Sequence, residues 1–180
     1  MKLETKRLNL REWKDSDKES LIENINNINV TKNLLVVPYP YTKKDAEWWI
    51  NRCKENSKRK NKDKYDFAII LKSGKEAIGG IGLDNIDKFQ GIAEVGYWLG
   101  EKYWRQGLMS EALEEILNFA FNNLKLRRIT LYAFVENIAS NELAKKLGFR
   151  FEGMHRKVAK TKSDGRIHDS NAYGLLKDEV

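Results

Sequence analysis

Apolar residues recur at two different spacings along this chain, and each spacing predicts a different kind of element. Alternating apolar and polar residues are typical of strands, and apolar residues three or four positions apart are typical of helices. Ser73–Gly74 and Asp164–Gly165 each lie between two strand-like runs, where they predict hairpin turns. The predicted strands are residues 6–13, 66–72, 75–86, 91–100, 127–135, 149–160 and 166–176.

Four segments have the apolar spacing of helices. Ser16–Glu19 and Thr42–Asp45 each have the spacing of a capping box and precede apolar residues at helical intervals. The widest apolar stripe runs from about Leu108 to Leu124. A short helix over residues 139–147 is predicted to end at Gly148. The strands on either side of the long helix are predicted to pair in parallel inside a mixed, mostly antiparallel sheet.

Length and composition narrow the class of protein. The chain has 180 residues, which predicts a single domain over residues 1–180, and its 41% hydrophobic content excludes a disordered chain. The single cysteine, Cys53, excludes an internal disulfide and favours a reducing compartment. The N-terminus has no apolar signal region, and no apolar run approaches the roughly 20 residues of a membrane span. A cytoplasmic protein without membrane contact is therefore expected.

Positive charge is concentrated between residues 54 and 64, where six of eleven residues are Lys or Arg. Such a run is either a solvated helix end with its loop or a landing site for an acidic partner. The formal net charge of +7 fits an anionic ligand, an acidic partner or nucleic acid. The sequence has no recognition-helix pattern and no sheet of interleaved aromatic and basic residues, so no direct nucleic-acid partner is expected.

A single glycine, Gly107, lies immediately before the predicted long helix. A helix N-terminus presents unpaired N–H groups and the positive end of the helix dipole, which together bind phosphate. Gly107 would let a diphosphate approach the backbone, and Arg105 would add a cation. The alternative is that Gly107 only permits a tight turn. Gly79, Gly80 and Gly82 lie within a predicted strand and indicate a bulge or close packing.

Three segments together resemble the GNAT superfamily of acetyl-CoA-dependent N-acetyltransferases. They are AEVGYWLGEKYWRQGLMSEAL, the N-x-x-S…KLGF-x-x-EG segment that begins at Asn137, and the ending D-G-x-x-H-D-x-x-x-Y-x-L-L that begins at Asp164. The chain is most similar to the Rim-type branch, whose members are ribosomal-protein N-terminal (alanine/serine) acetyltransferases. The resemblance implies an α/β fold: a mixed, seven-stranded sheet with about four helices, splayed between its fourth and fifth strands.

The same resemblance implies where acetyl-CoA binds. The family's diphosphate motif falls on Trp104–Met109, and the chain keeps its middle glycine as Gly107 but departs from the motif at Trp104 and Met109. Phosphate contacts are therefore expected from the backbone between Arg105 and Ser110. The residues that the resemblance assigns to the cofactor are Trp98, Leu99, Arg105, Gln106, Gly107, Leu108, Met109, Ser110 and Asn137.

Acetyl transfer to an amine needs a base for the amine and a proton donor for the departing thiolate. Glu94 interrupts an apolar strand beside the expected splay, which makes it a candidate base; the alternative is an ordinary surface glutamate. Ser140 matches a Rim-type serine and is the candidate acid; the alternative is a helix-capping hydroxyl. Two positions that are often catalytic in relatives are occupied by Ala144 and Ala159, so the sequence leaves the identity of the general base open.

The other reactive residues have ordinary structural interpretations. His155 and His168 could act as bases near neutral pH but are read as strand residues, Glu152 as structural, and Cys53 as a core residue. Two further residues, Trp48 and Tyr97, are assigned to the substrate cleft. No zinc-ligand spacing is present, so no metal is expected.

Together these features predict an N-acetyltransferase that uses acetyl-CoA and acts by direct attack in a ternary complex. The Rim-type resemblance favours a protein N-terminal α-amino group as the acceptor. The alternatives are a small amine such as a polyamine, aminoglycoside or amino acid, or an inactive module that only binds coenzyme A. The chain is expected to be a monomer or a homodimer.

Overall fold

One eight-stranded sheet organises the structure, a computed structural model that describes residues 1–180. The strands lie in the order β1-β2-β3-β4-β5-β6-β8-β7, and β5–β6 is the only parallel pair. Their bounds are β1 Lys2–Glu4, β2 Leu8–Arg11, β3 Tyr65–Leu71, β4 Ala77–Asp87, β5 Ile92–Leu99, β6 Arg128–Phe134, β7 Arg150–Lys160 and β8 Ile167–Leu176.

Five α-helices cover the two faces of this sheet. They are α1 Lys18–Ile25, α2 Ile28–Thr31, α3 Lys43–Lys58, α4 Leu108–Asn118 and α5 Ile138–Lys146. The predicted long helix is therefore divided, because α4 passes into a π-helical turn over Phe119–Asn123. The connection from β5 through α4 to β6 is the predicted parallel crossover.

The two predicted capping boxes have different outcomes. At α3 the box forms, since the Thr42 hydroxyl accepts a hydrogen bond from the Asp45 N–H and the Asp45 carboxylate accepts one from the Thr42 N–H. The box predicted at Ser16–Glu19 is wrong. The Asp17 carboxylate is held instead by the Arg11 guanidinium at 2.7 Å and the Lys14 N–H at 2.8 Å, and α1 begins one residue later, at Lys18.

Each face of the sheet has its own apolar core. The larger core lies under α4 and includes Leu8, Phe67, Leu113 and Ile129, all at most 1% exposed. The smaller core lies under α1 and α3 and contains Trp13, Ile50 and Cys53. Alternate residues of the central strands feed the two cores, because successive side chains in a strand point to opposite faces.

The parallel pair opens partway along its length. β5 and β6 are paired from Ile92↔Arg128 to Val95↔Leu131 and no further. β5 continues beside β4 as far as Leu99, and β6 continues beside β8 as far as Phe134. The splay predicted between the fourth and fifth strands is thus confirmed, and here it separates β5 from β6.

The strand count differs from the prediction by one. β1 is a three-residue strand that pairs with β2 through Lys2↔Arg11, Leu3↔Leu10 and Glu4↔Asn9. Three residues are too few to show an alternating pattern, and their strand conformation depends on pairing with an edge that only the folded sheet provides.

Candidate active site

The loop between β5 and α4 has the conformation of an anion-binding loop. Arg105 and Gly107 both have left-handed backbones, with φ of 58° and 72°. The N–H groups of Arg105, Gln106 and Gly107 donate no backbone hydrogen bond, and the first turn of α4 adds further unpaired N–H groups. This set of free amides at the positive end of a helix fits a diphosphate, as predicted.

The space around Gly107 is open on the side where a side chain would project. A Cβ atom added there would have one heavy atom within 4 Å, the Arg7 Nη2 at 3.5 Å. The following residues, Leu108 and Ser110, are buried at 2% and 7% exposure, and Met109 packs against the core. Their side chains therefore point inward, and only their backbone can contribute to a cofactor site.

The loop is also anchored at its start. The Trp104 indole N–H donates to the Leu99 carbonyl over 2.7 Å, which ties the loop to the end of β5. Leu99 itself is buried in the larger core. Trp104, where the chain departs from the family motif, thus contributes a contact that holds the loop against the opened strand.

A hydrogen bond between two side chains spans the splay. The Tyr97 hydroxyl, on β5 beyond the last paired residue, lies 2.8 Å from the Ser140 hydroxyl, in the first turn of α5. Burial raises the pKa of Tyr97 to about 12, although the hydrogen bond with Ser140 acts in the opposite direction. The predicted acid and a residue predicted for the substrate cleft are therefore direct partners.

Two asparagines hold Ser140 in place. The Asn137 side-chain oxygen accepts from the Ser140 N–H at 3.2 Å and caps α5, so the Ser140 hydroxyl is not the cap. Asn141 donates to the Phe134 carbonyl at 2.9 Å and accepts from the Tyr173 hydroxyl at 2.7 Å. Asn137 keeps its side-chain N–H₂ free of protein partners and half-exposed, where it can reach a ligand in the splay.

Glu94 lies on the opposite face of the sheet from Tyr97. It is half-buried, makes no hydrogen bond or ion pair, and lies beside Asp84 of β4 and Thr130 of β6 in the strand register. Next on this face comes Gly96, where an added Cβ would meet no atom within 4 Å. The structure therefore places Glu94 at an open surface and does not bring it into contact with Ser140.

The side chain of Trp98 is directed away from the loop between β5 and α4, residues 100–107, which we call the cofactor loop after its predicted role. Its ring stacks on Trp13 at 6.5 Å between centroids, within the core under α1 and α3. Gly80 makes room for it, since a Cβ there would lie 2.6 Å from the Trp98 Nε1. A cofactor contact from Trp98 is thus restricted to its backbone.

An open cleft of about 550 Å³ lies between α3 and the end of β4. Its walls are polar, and Trp48 is the only hydrophobic residue among the ten that line it. Trp48 is 59% exposed and lies under the Arg52 guanidinium, whose carbon is 5.2 Å from the ring centroid. Asp84, which also lines the cleft, is the register partner of Glu94. The cleft therefore reaches the Glu94 face of the sheet.

The basic run is partly neutralised within this cleft. Lys64 lies 3.3 Å from Asp66 and 2.5 Å from Asp84, and Arg59 lies 3.7 Å from Asp63. These pairs reduce the positive charge at the cleft, and Lys54 is also paired, with Asp15. Lys58, Lys60 and Lys62 extend the run over the neighbouring surface. The helix-end interpretation applies to residues 54–58, which belong to α3.

The remaining reactive residues have structural surroundings. His168 is 8% exposed, stacks on Phe134 at 4.4 Å and lies 3.0 Å from the Glu136 carboxylate. Glu152 pairs with Arg128, and Cys53 lies in the smaller core, where burial raises the pKa of its thiol. His155 is exposed and packs edge-on against Tyr132.

No helix is long and apolar enough to span a membrane. No three or more His, Cys, Asp or Glu side chains are grouped so that they could hold a metal ion.

Sequence patterns did not reveal the part that Arg7 plays in the site. Its guanidinium reaches the cofactor loop, donating to the Gln106 carbonyl at 2.9 Å and to Glu111 at 2.7 Å. Arg7 lies in the strand-like run of residues 6–13, and Glu111 is the one acidic residue in the first turn of α4. Neither local pattern indicates that the two residues meet.

The fold and the site together define a class of enzyme: an acyltransferase that takes its acyl group from a coenzyme A thioester. A loop of free amides, an opened strand pair and hydroxyl groups inside the opening are the features such a reaction requires.

Comparison with known proteins identifies the family. Residues 7–150 match the family model for the acetyltransferase (GNAT) domain, and the chain belongs to this family. GNAT enzymes use acetyl-CoA, so the predicted cofactor and the predicted N-acetyltransferase activity are confirmed at this level.

Relatives with assigned names point in the same direction. An uncharacterised N-acetyltransferase, p20, of Bacillus licheniformis is 34% identical over 98% of this chain and 97% of its own length. The ribosomal-protein-serine acetyltransferase of Escherichia coli is 35% identical over 63% of each chain. The solved structure of RimL, a ribosomal L7/L12 alpha-N-protein acetyltransferase in complex with coenzyme A, has a TM-score of 0.85 at 22% identity and full coverage of both chains. That last likeness shows the fold.

Proposed function

We propose that the protein acetylates a protein N-terminal α-amino group by direct attack on acetyl-CoA. The observation that carries the proposal is the splay between β5 and β6, which opens beyond Val95, next to Glu94, and is spanned by the Tyr97–Ser140 hydrogen bond. A donor held on one face and an amine held on the other would meet in this opening.

The open form of the acceptor cleft supports a polypeptide over a small amine. A pocket for a drug-sized molecule encloses most of its ligand, whereas this cleft is open to solvent and polar. Exposed apolar residues also lie in the connection between α2 and α3, where Leu35, Val36 and Tyr39 are 49%, 62% and 44% exposed. The ribosomal-protein-serine acetyltransferase among the relatives supports the same acceptor class.

The chain's residues divide the work of the reaction. Acetyl-CoA, when bound, supplies the activated acetyl thioester, and the free amides from Arg105 to Ser110 with the Asn137 side chain would hold it. Glu94 takes a proton from the acceptor, whose ordinary α-amino pKa near 8 makes a modest base sufficient. Ser140 donates a proton to the departing sulfur, and Tyr97 holds the Ser140 hydroxyl in position.

An acceptor panel tests this function. The protein is incubated with acetyl-CoA and Ala- or Ser-starting peptides, the same peptides with a blocked N-terminus, spermidine and an aminoglycoside, and thiol release is measured. Release with the free peptides alone is the expected result. Release only with the small amines would overturn the acceptor class, and coenzyme A binding without release would indicate a module that has lost activity.

A further inference from the structure

The Arg7 guanidinium contacts both the cofactor loop and the first turn of α4. Its Nε donates to the Glu111 carboxylate at 2.7 Å and its Nη1 donates to the Gln106 carbonyl at 2.9 Å. The Glu111 carboxylate is in turn fixed by the Thr5 hydroxyl at 2.5 Å and the Arg7 N–H at 2.7 Å. Two segments that are far apart in sequence, residues 5–7 and 106–111, thus converge on one guanidinium.

Glu111 is able to hold Arg7 over the whole neutral range. Burial would raise the pKa of Glu111, but hydrogen bonds from Thr5 and Arg7 outweigh burial and lower it below the ordinary value. The carboxylate therefore stays ionised, and its contacts with Arg7 are charge-assisted, which makes them stronger and more directional than neutral hydrogen bonds.

The contact with Gln106 determines where the next amide points. A trans peptide is planar, so the carbonyl of Gln106 and the N–H of Gly107 point in opposite directions. Because Arg7 binds the carbonyl, the Gly107 N–H is turned away from the Arg7 Nη1 atom. Arg105 has a left-handed backbone, with φ of 58°, which a free L-residue rarely adopts.

We propose that Arg7 is a positioning residue for acetyl-CoA: it locks the Gln106–Gly107 peptide so that the Gly107 N–H faces the cofactor's diphosphate. The inference rests on the proposed cofactor loop and goes beyond it, because it assigns the preorganisation of that loop to a residue 99 positions away along the chain. Without Arg7, binding would have to order the loop, and that cost would appear as lost affinity.

The test compares a donor that has the diphosphate with one that lacks it. In Arg7→Gln we expect the Kd for coenzyme A, measured by calorimetry, to rise about tenfold, the effect of losing one charged hydrogen bond. The kcat/KM with S-acetylpantetheine should stay within about twofold, because that donor has no diphosphate for the loop to bind. Arg7→Lys, which reaches Glu111 or Gln106 but not both, should lie between wild type and Arg7→Gln.

A second variant and a control separate positioning from simple destabilisation. Glu111→Gln keeps Arg7 but removes the charge that holds it, so the Kd for coenzyme A should rise by a smaller factor. Arg128→Gln, which breaks another Arg–Glu pair, with Glu152, should leave that Kd unchanged. If Arg7→Gln does not fold, Glu111→Gln and Arg7→Lys carry the same comparison.

Each result has a definite meaning. An unchanged Kd for coenzyme A in Arg7→Gln, or an equal loss with both donors, would overturn the positioning role. If the wild-type protein itself does not bind coenzyme A, the cofactor loop is wrong, and the proposed function fails with it.

Discussion

At the residue scale, the cofactor loop contains two residues with left-handed backbones, Arg105 and Gly107, and the energetic cost of that conformation differs between them. Arg105 occupies φ of 58° with a side chain, at a cost of roughly 1–2 kcal/mol for an L-residue. Gly107 has no such cost and leaves its backbone open to a ligand. Glycine at the second position suits the conformation, and the proposed cofactor site also requires the open space that it leaves.

Gly107→Val tests that requirement. A β-branched side chain would strain the left-handed backbone and cover the amides, so we expect the Kd for coenzyme A to rise more than about tenfold, the equivalent of 1.4 kcal/mol. Gly165→Val is the matched control, since Gly165 has φ of 71° and open space in the β7–β8 turn. Both variants should lose similar stability by urea unfolding, and only the first should lose affinity. Unchanged binding in Gly107→Val would refute the loop assignment.

This residue was predictable from sequence because its signal is local. A lone glycine directly before a strong helical pattern indicates a turn into a helix, whatever the rest of the fold. The contact of Arg7 with the loop was not predictable from sequence, because its partners Gln106 and Glu111 lie 99 and 104 positions away.

At the element scale, α5 and β5 are joined across the opened part of the sheet. β5 and β6 no longer exchange backbone hydrogen bonds beyond Val95 and Leu131, and the Tyr97–Ser140 bond is the polar side-chain contact between the two sides. Asn137 and Asn141 orient the first turn of α5 so that Ser140 faces β5. β5 and α5 thus bring the Tyr97 and Ser140 hydroxyls together at the point where the backbone pairing of β5 and β6 ends.

Single and double substitutions test whether this pair acts as one unit. Ser140→Ala should lower kcat about 100-fold, the low end for a lost general acid, with little change in the KM for acetyl-CoA. Tyr97→Phe should lower kcat less, and the double variant should resemble Ser140→Ala, because interacting residues are not additive. Tyr65→Phe, which removes a tyrosine hydroxyl beside the larger core and away from Ser140 and its asparagines, is the control. A wild-type kcat in Ser140→Ala would eliminate its role as the acid.

Element types and order followed from the apolar spacing, since burial on one or two faces repeats along each strand and helix. Element ends were less predictable. No capping box forms at Ser16–Glu19, because residues 15–17 form a 3-10 turn in which the Asp17 carboxylate accepts from the Lys14 N–H and from Arg11. In addition, α4 changes to a π-helical turn at Phe119, where the apolar pattern continues.

At the scale of the whole molecule, the residues proposed for the two reactants lie on opposite faces of the sheet. The amide loop and Ser140 lie towards the α4 and α5 side, and Glu94 lies on the side of α3 and the open cleft. Much of the positive charge near the cleft is paired, as Lys64 and Arg59 show. The net charge of +7 is therefore a poor guide to the potential that an acceptor meets.

This separation predicts that a change at Glu94 acts on the acceptor side alone. In Glu94→Gln kcat should fall about 100-fold, since the base is lost. The Kd for coenzyme A should not change. Asp87→Asn is the control, because it removes another carboxylate of β4 that does not line the cleft. A wild-type kcat in Glu94→Gln would exclude Glu94 as the base.

The sequence by itself determined the strand and helix order, the parallel crossover, the glycine before α4 and the resemblance to acetyltransferases, because each depends on residues close together in the chain. Only the tertiary structure decided that Tyr97 meets Ser140, that Trp98 turns away from the loop, and that Arg7 holds it. Those contacts join residues up to about a hundred positions apart. Sheet register and helix packing bring such residues together, and neither is encoded in a local pattern.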